Sequence, residues 1–190
     1  CVSDDAIGRY CLNQLDHYNV DRKHVRIVGG EARNSLAIVE SRVEDHQSVI
    51  YRNGAADFEM TRNDVQNLDY ARYSALITTG TVFAAEPSRS AAFCAFDLAK
   101  KAGLPMIFDV DYRPYSWPSA EVASETYSRA AKYCDIIVGN DVEFGFMAGD
   151  YEQGLKKAKD LANTTAKIVI YKMGELGAIT LTADNEIRTG

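Results

Sequence analysis

The sequence predicts an α/β protein: a three-layer domain whose mostly parallel sheet is covered by helices, with a small β excursion near its N-terminal side. Three observations predict it. From residue 73 onward, short apolar runs alternate with helix-length amphipathic segments. Those runs are near-continuous in apolar character, as strands buried on both faces are. Before them, residues 25–52 hold three β-like pieces separated only by turn residues, a pattern of antiparallel ribbon rather than βα units.

In chain order, Ser3 and Asp4 read as a helix start. Ile7, Cys11, Leu15 and Tyr18 then follow at spacings of four, four and three, an apolar helical stripe. The β-like pieces fall at 25–28, 36–40 and 49–52. A short strand at 75–78 runs into Thr79-Gly80, and a long helix at 88–102 is stopped by Gly103 and Pro105. A strand at 106–110, a helix at 119–133 and a strand at 135–138 come next. Helices at 142–147 and 152–163 precede strands at 167–172 and 178–181, and Asp184 falls in a hairpin turn. The parallel crossovers should be right-handed. No repeat, low-complexity stretch or linker divides the chain, so residues 1–190 read as one domain with its β excursion within about 25–60.

The composition narrows the function classes. With 46% hydrophobic and 25% charged residues, the chain can build a core and stay soluble. No run approaches the ~20 apolar residues of a membrane span. The start, CVSDDAIGRY, has no basic region followed by an apolar one. A formal charge of −6 without a basic block argues against nucleic acid, whose affinity comes mainly from neutralised phosphates. Cys1, Cys11, Cys94 and Cys134 are widely spaced and form no CxxC pair. They read as free thiols in a reducing compartment, hence a cytoplasmic protein. The three histidines do not cluster, which argues against zinc.

In open α/β sheets, ligands bind beyond the C-terminal ends of the strands. Four such ends carry polar residues: Thr78-Thr79-Gly80, Asp109-Val110-Asp111-Tyr112-Arg113, Gly139-Asn140-Asp141-Val142-Glu143, and Lys172-Met173-Gly174-Glu175-Leu176-Gly177. Any one alone could be a cap or a turn; four on one edge point to a site. Arg113 offers a planar fork suited to a carboxylate or phosphate. Asp109 would orient it or build the turn. The plainer alternative is an Asp–Arg pair that shapes the loop before Pro114.

These segments carry a family resemblance. FDVDYRPYSW is similar to the acidic-sugar branch of the ribokinase-like (PfkB) carbohydrate kinases, and VIYRNGAADFEM resembles that branch's β-lid. TTGTVFAAEPSRSA, GNDVEF with the N-x-x-E spacing, and KMGELGA match further family segments in order. The resemblance runs over nearly the whole chain. It implies that Tyr51, Arg52, Asp109 and Arg113 bind substrate, and that Asp111, Asn140, Lys172, Gly174 and Gly177 serve the nucleotide. Glu143 would organise Mg²⁺ indirectly, through water. The usual family form has Asn where this chain has Asp111; the acidic-sugar branch accepts Asp.

The implied reaction moves the γ-phosphoryl group of ATP, with Mg²⁺, to a primary hydroxyl of a small acidic sugar. The first expectation is 5-dehydro-2-deoxy-D-gluconate, the second 2-keto-3-deoxygluconate. A homodimer through the β-lid is a further expectation. The family's N-terminal strand and Gly-Gly sugar turn should lie before residue 1, and its G-A-G-D element with the general-base Asp beyond Gly190. The chain thus reads as truncated at both termini and inactive alone. Met147-Ala148-Gly149-Asp150 imitates that string but precedes the nucleotide element, and reads as a loop between helices. A non-catalytic sugar-acid binding protein on the same fold is the rival reading. A Rossmann oxidoreductase has little support, because no G-x-G-x-x-G joins a strand to a helix.

Overall fold

A computed structural model describes residues 1–42 and 47–190; the part of the expected β-lid at 43–46 lies outside the described residues. The N-terminal region departs most from expectation. Strand β1 (Val2–Ser3) precedes helix α1 (Ala6–His17) and pairs in parallel with β2 (Ile27–Val28). Residues 25–28 therefore do not join the antiparallel ribbon. Ser3 is extended because Asn34 Oδ1 accepts both its N–H at 2.6 Å and its hydroxyl at 2.9 Å. The helix is capped one residue later, by Asp5, whose carboxylate accepts the N–H groups of Ile7 and Gly8. Its buried face is Gly8 and Leu12, whereas Ile7 and Tyr18, ends of the expected stripe, are exposed.

The expected ribbon is a hairpin of β3 (Leu36–Val39) and β4 (Ser48–Tyr51), paired antiparallel from Leu36↔Tyr51 to Val39↔Ser48. Helix α2 (Arg62–Gln66), absent from the sequence reading, is held at its start by a capping box between Thr61 and Asp64. Five residues are too few to show a helical period.

The main sheet follows the expected alternation. It comprises β5 (Leu76–Thr79), α3 (Ser88–Lys101), β6 (Met106–Asp109), α4 (Ala120–Ala131), β7 (Ile136–Asn140), α5 (Asp141–Ala148), α6 (Gly154–Thr164), β8 (Ile168–Lys172), β9 (Ala178–Leu181) and β10 (Glu186–Thr189). The strand order is β10-β9-β8-β7-β6-β5, with β5 to β8 parallel and β9 and β10 antiparallel. Each crossover from β5 to β8 steps to the next position in the same direction. Right-handed crossovers of that kind lay their helices on one face. Accordingly, buried residues of α3, α4, α5 and α6 form one cluster with Phe108, Ile137, Val169 and Ile179 of the sheet. Phe83, Phe96, Phe108 and Phe144 are each below 2% exposed, and burying such a ring stabilises by about 1.5–3 kcal/mol. On the opposite face, Ile77, Ile107, Ile136 and Ile168 form a row across four strands in register. This row is only half-buried, and Ile77 is exposed.

Candidate functional site

Parallel pairing brings the four polar strand ends to one edge. Thr79 is the register partner of Asp109, and Asn140 of Lys172. The Asp109 carboxylate lies 4.0 Å from Lys172 Nζ, across the width of two strand spacings.

Beyond β6 the chain turns sharply. Asp111 has a φ of +39°, in the left-handed region that Asp and Asn enter more readily than other residues with side chains. The backbone thus admits either the Asn of the usual family form or the Asp of this chain. Arg113 folds back on this turn: Nη2 meets the Asp111 carboxylate at 2.7 Å, and Nη1 donates to the Tyr112 carbonyl at 3.0 Å. Asp111, not Asp109, orients the guanidinium. The Tyr112 ring stacks on Phe146 at 3.7 Å between centroids with planes 13° apart, which fixes the loop against α5.

The hairpin presents its two faces differently. Ala37, Val39, Ser48 and Ile50 face a cavity of about 540 Å³ whose other wall is Tyr112, Arg113 and Tyr115. A second cavity, of about 300 Å³, lies beside it between Ser35, Ile50, Arg52, Asp57, Thr81 and Asp111. Ile50 lines both. Arg52 and Arg113 therefore stand over adjoining cavities, with Asp111 near their meeting point. Arg52 is nearly buried, pairs with Asp57 and donates to Ser35 Oγ at 3.2 Å. Tyr51 does not join this group. Strand residues alternate faces, and Tyr51 lies with Leu36, Ile38 and Val49 on the outer face, all exposed. A third cavity, about 640 Å³ and mostly apolar, runs along β5 past Leu76, Ile77 and Phe96; it shares Arg52, Asp57 and Thr81 with the second, whereas Asp109, Arg113 and Asn140 are not in its lining.

Asn140 and Glu143 form a reciprocal cap at the start of α5. Asn140 Oδ1 accepts the Glu143 N–H at 2.8 Å, and Glu143 Oε2 accepts the Asn140 N–H at 2.8 Å. Glu143 is only 5% exposed, and its other oxygen accepts the Tyr112 N–H at 3.0 Å. Both oxygens thus already hold backbone donors. Among the described residues, no three His, Cys, Asp or Glu side chains converge. This donor set fits a magnesium ion carried by phosphate oxygens and water, not one caged by the protein.

After β8, residues Gly174–Leu176 form a 3₁₀ turn closed by the Met173 N–H on the Gly177 carbonyl at 2.8 Å. The two glycines serve different needs. Gly177, at φ +81°, could not carry a Cβ, which would lie 2.0 Å from the Thr189 carbonyl oxygen. Gly174, at φ +57°, has open space where its Cβ would be. That open face, beside the half-exposed Lys172, fits a phosphate-bearing ligand approaching the backbone. The Met147–Asp150 string is only half a loop: Met147 and Ala148 form the end of α5, Gly149 ends that helix in the left-handed conformation, and Asp150 caps the next turn, because the helix runs on until a residue that accepts positive φ.

Asp57, Ser35 and Thr81 were not among the expected site residues. Each lies near an expected segment, but no spacing rule connects Asp57 or Thr81 to Arg52. Among the described residues, no helix is long and apolar enough to cross a membrane.

Residues 1–189 match the pfkB family carbohydrate kinase profile. The chain is 34% identical over 193 residues to a 5-dehydro-2-deoxygluconokinase of Geobacillus kaustophilus (strain HTA426), covering all of this chain and 58% of that protein. A protein of the same name from Photobacterium profundum is 33% identical over 183 residues, covering 94% of this chain and 55% of that protein. The chain thus spans less than two thirds of the length of these curated relatives. Its fold superposes with a TM-score of 0.83 on a PfkB protein from Polaromonas sp. JS666, at 23% identity, covering all of this chain and 64% of that one. A fructokinase from Vibrio cholerae O395, solved with fructose, ADP and a calcium ion, also gives 0.83, at 22% identity, covering all of this chain and 60% of that one. The ordered strand-end motifs, the topology and these matches agree: the chain belongs to the pfkB family of carbohydrate kinases.

Proposed function

We propose that this chain carries the sugar-binding half and part of the nucleotide-binding half of a kinase that phosphorylates a primary hydroxyl of a small acidic sugar. The observation that carries the proposal is the placement of Arg52 and Arg113 over two adjoining cavities at the sheet's C-terminal edge, with Asp111 near the point where they meet. Guanidinium forks match a carboxylate in shape and charge. A neutral sugar would not need two of them. The names of the curated relatives favour 5-dehydro-2-deoxygluconate as the acceptor. The alternative acceptor, 2-keto-3-deoxygluconate, would use the same arginines.

In this reading, Arg52 and Arg113 hold the sugar's anionic end and Asp109 contacts its hydroxyl face. Phosphoryl transfer depends chiefly on positioning and charge stabilisation, so these contacts act on rate even without moving a proton. ATP, with its Mg²⁺, supplies the phosphoryl group. Lys172 and the open backbone at Gly174 would bind its phosphates, and Asn140 would orient them from the start of α5. Asp111 sits on the sugar side of this arrangement and holds Arg113 in place. The base that takes the hydroxyl proton is proposed to lie in sequence C-terminal to Gly190.

The outer face of the hairpin supports a homodimer. Leu36, Ile38, Val49 and Tyr51 form an exposed apolar patch on a two-stranded ribbon, which has little stability of its own. Tyr51 would then serve the dimer contact. A cytoplasmic setting agrees with four free cysteines.

The deciding experiment is product analysis with the full-length protein, ATP and a panel of acidic and neutral sugars. Phosphorylation of 5-dehydro-2-deoxygluconate in preference to 2-keto-3-deoxygluconate and fructose is expected. Preference for fructose would overturn the sugar-acid reading. Binding of a sugar acid without turnover would favour the non-catalytic binding protein.

A further inference from the structure

The carboxylate of Glu143 connects two segments that lie 31 residues apart, the turn after β6 and the start of α5. One oxygen accepts the Tyr112 N–H at 3.0 Å and the other the Asn140 N–H at 2.8 Å. The Tyr112 N–H belongs to the peptide that leaves Asp111, the residue in the left-handed conformation. Arg113 is in turn tied to both sides of that peptide link, through the Asp111 carboxylate at 2.7 Å and the Tyr112 carbonyl at 3.0 Å. The Arg113 fork is therefore aimed by a turn, and that turn is held by a buried carboxylate on another element.

We propose that Glu143 is a positioning residue for the anionic end of the sugar, acting through the Asp111–Arg113 turn. This rests on the sugar-acid reading given above. The chemistry requires a carboxylate in particular. Both partners are backbone donors, so both side-chain positions must be acceptors. A glutamine satisfies one N–H and turns its own NH₂ toward the other, leaving two donors facing each other in a buried place. An aspartate keeps the charge but is one methylene shorter and does not span both segments. The turn then loses its hold at Tyr112, and the Arg113 fork loses its aim. A small displacement of a positioning group is enough to cost about 10-fold or more.

The test compares wild-type, Glu143→Gln and Glu143→Asp forms of the full-length protein. Initial rates are measured against an acidic sugar, against Mg·ATP and against free Mg²⁺, with far-UV circular dichroism to verify folding. Both variants are expected to raise KM for the acidic sugar about 10-fold. The KM for Mg·ATP and the Mg²⁺ activation curve should move less than the sugar KM, because Asn140 Oδ1 still accepts the residue-143 N–H while the turn loses its hold at Tyr112. A general loss of structure would move all three together. A shifted Mg²⁺ curve with an unchanged sugar KM overturns the proposal and leaves Glu143 with the metal alone. A fall in kcat with every KM unchanged also overturns it. A wild-type protein that does not prefer acidic sugars removes the reading beneath it. The brace itself is read separately, by amide hydrogen exchange at Tyr112 without substrate. Exchange about 10-fold faster in Glu143→Gln supports it, and unchanged exchange overturns it.

Discussion

Arg52 Nη1 donates to the Thr81 carbonyl at 3.3 Å, tying the hairpin to the turn that follows β5, 29 residues later in the chain. The same guanidinium pairs with Asp57, donates from Nε to Ser35 Oγ, and lies 4.2 Å over the Phe58 ring. A two-stranded ribbon alone is marginal in water. Arg52 therefore clamps the lid to the sheet while also facing the candidate sugar cavity. Removing it should affect both stability and binding. Arg52→Ala is expected to lower the unfolding free energy by about 1.5–3 kcal/mol, since hydrogen bonds to a charged group are lost and Asp57 keeps only the Ser35 hydroxyl. Urea denaturation measures this; a loss below about 0.5 kcal/mol, the usual size of a neutral surface change, would mean the clamp contributes nothing.

Arg113 is about one third exposed and, among the described residues, its polar partners lie within its own turn, so its substitution should leave stability nearly unchanged. Arg113→Lys removes the second donor of the fork. A drop of about 10-fold or more in kcat/KM is expected for acidic sugars, with a much smaller change for neutral ones. Equal, small changes for both classes in steady-state kinetics would remove Arg113 from the carboxylate role.

The two glycines of the turn after β8 should separate cleanly. Gly177→Ala drives a Cβ into the Thr189 carbonyl at positive φ, so β10 must shift or detach. A marked fall in thermal midpoint is expected. Gly174→Ala meets open space and costs only the left-handed backbone strain, about 1–2 kcal/mol. It should instead weaken nucleotide binding, because the added methyl stands on the face proposed for ATP. Calorimetry with ADP on both variants checks this. Unchanged ADP affinity in Gly174→Ala would place the nucleotide elsewhere.

Acid should loosen the N-terminal region through one pair. The Arg26 guanidinium, at 2.7 and 3.0 Å from the two Asp64 oxygens, holds that carboxyl well below the ordinary carboxylate value of 3.8. The Thr61 N–H and hydroxyl assist, while partial burial opposes. A depressed native value means that stability is gained on ionisation. The contribution is complete above the ordinary value of 3.8 and is lost as pH falls below it toward the lower native value. Asp64→Asn should therefore be less stable than wild type at neutral pH, with the gap closing as the pH drops below about 3.8. Urea midpoints across that range give the answer; a gap independent of pH would show that the pair adds nothing by ionising.

Elements whose signal is local and repeated are legible in the sequence. Strands β6 to β9 are of this kind because a strand inside a sheet must be apolar over several consecutive residues, and α3, α4 and α6 because helical packing imposes its own period. The order of the strand-end motifs is legible too, since parallel pairing sends every such end to one edge. Arg113, Asn140 and Glu143 can be placed there from their neighbours alone, whereas Arg52, on the ribbon, is placed only by the family resemblance of its segment.

Which group meets which across long separations is settled only in three dimensions. Nothing in VSDDAIG shows that Ser3 will be drawn straight by Asn34, so the sequence reads β1 as a helix start and its parallel partner β2 as ribbon. The stripe Ile7, Cys11, Leu15 and Tyr18 has a helical period, but the period names a face without saying what lies against it; packing buries Gly8 and Leu12 instead. Tyr51 and Arg52 are adjacent in sequence and fall on opposite faces of the hairpin, which only its register and seating settle. Asp109 and Asp111 are both within reach of Arg113 by sequence, and the left-handed turn at Asp111 brings the nearer carboxylate round. Glu143 reaches Tyr112 because β6 and β7 lie side by side. Such partners are chosen by packing, where a buried donor or acceptor must find whatever complementary group the fold places within reach.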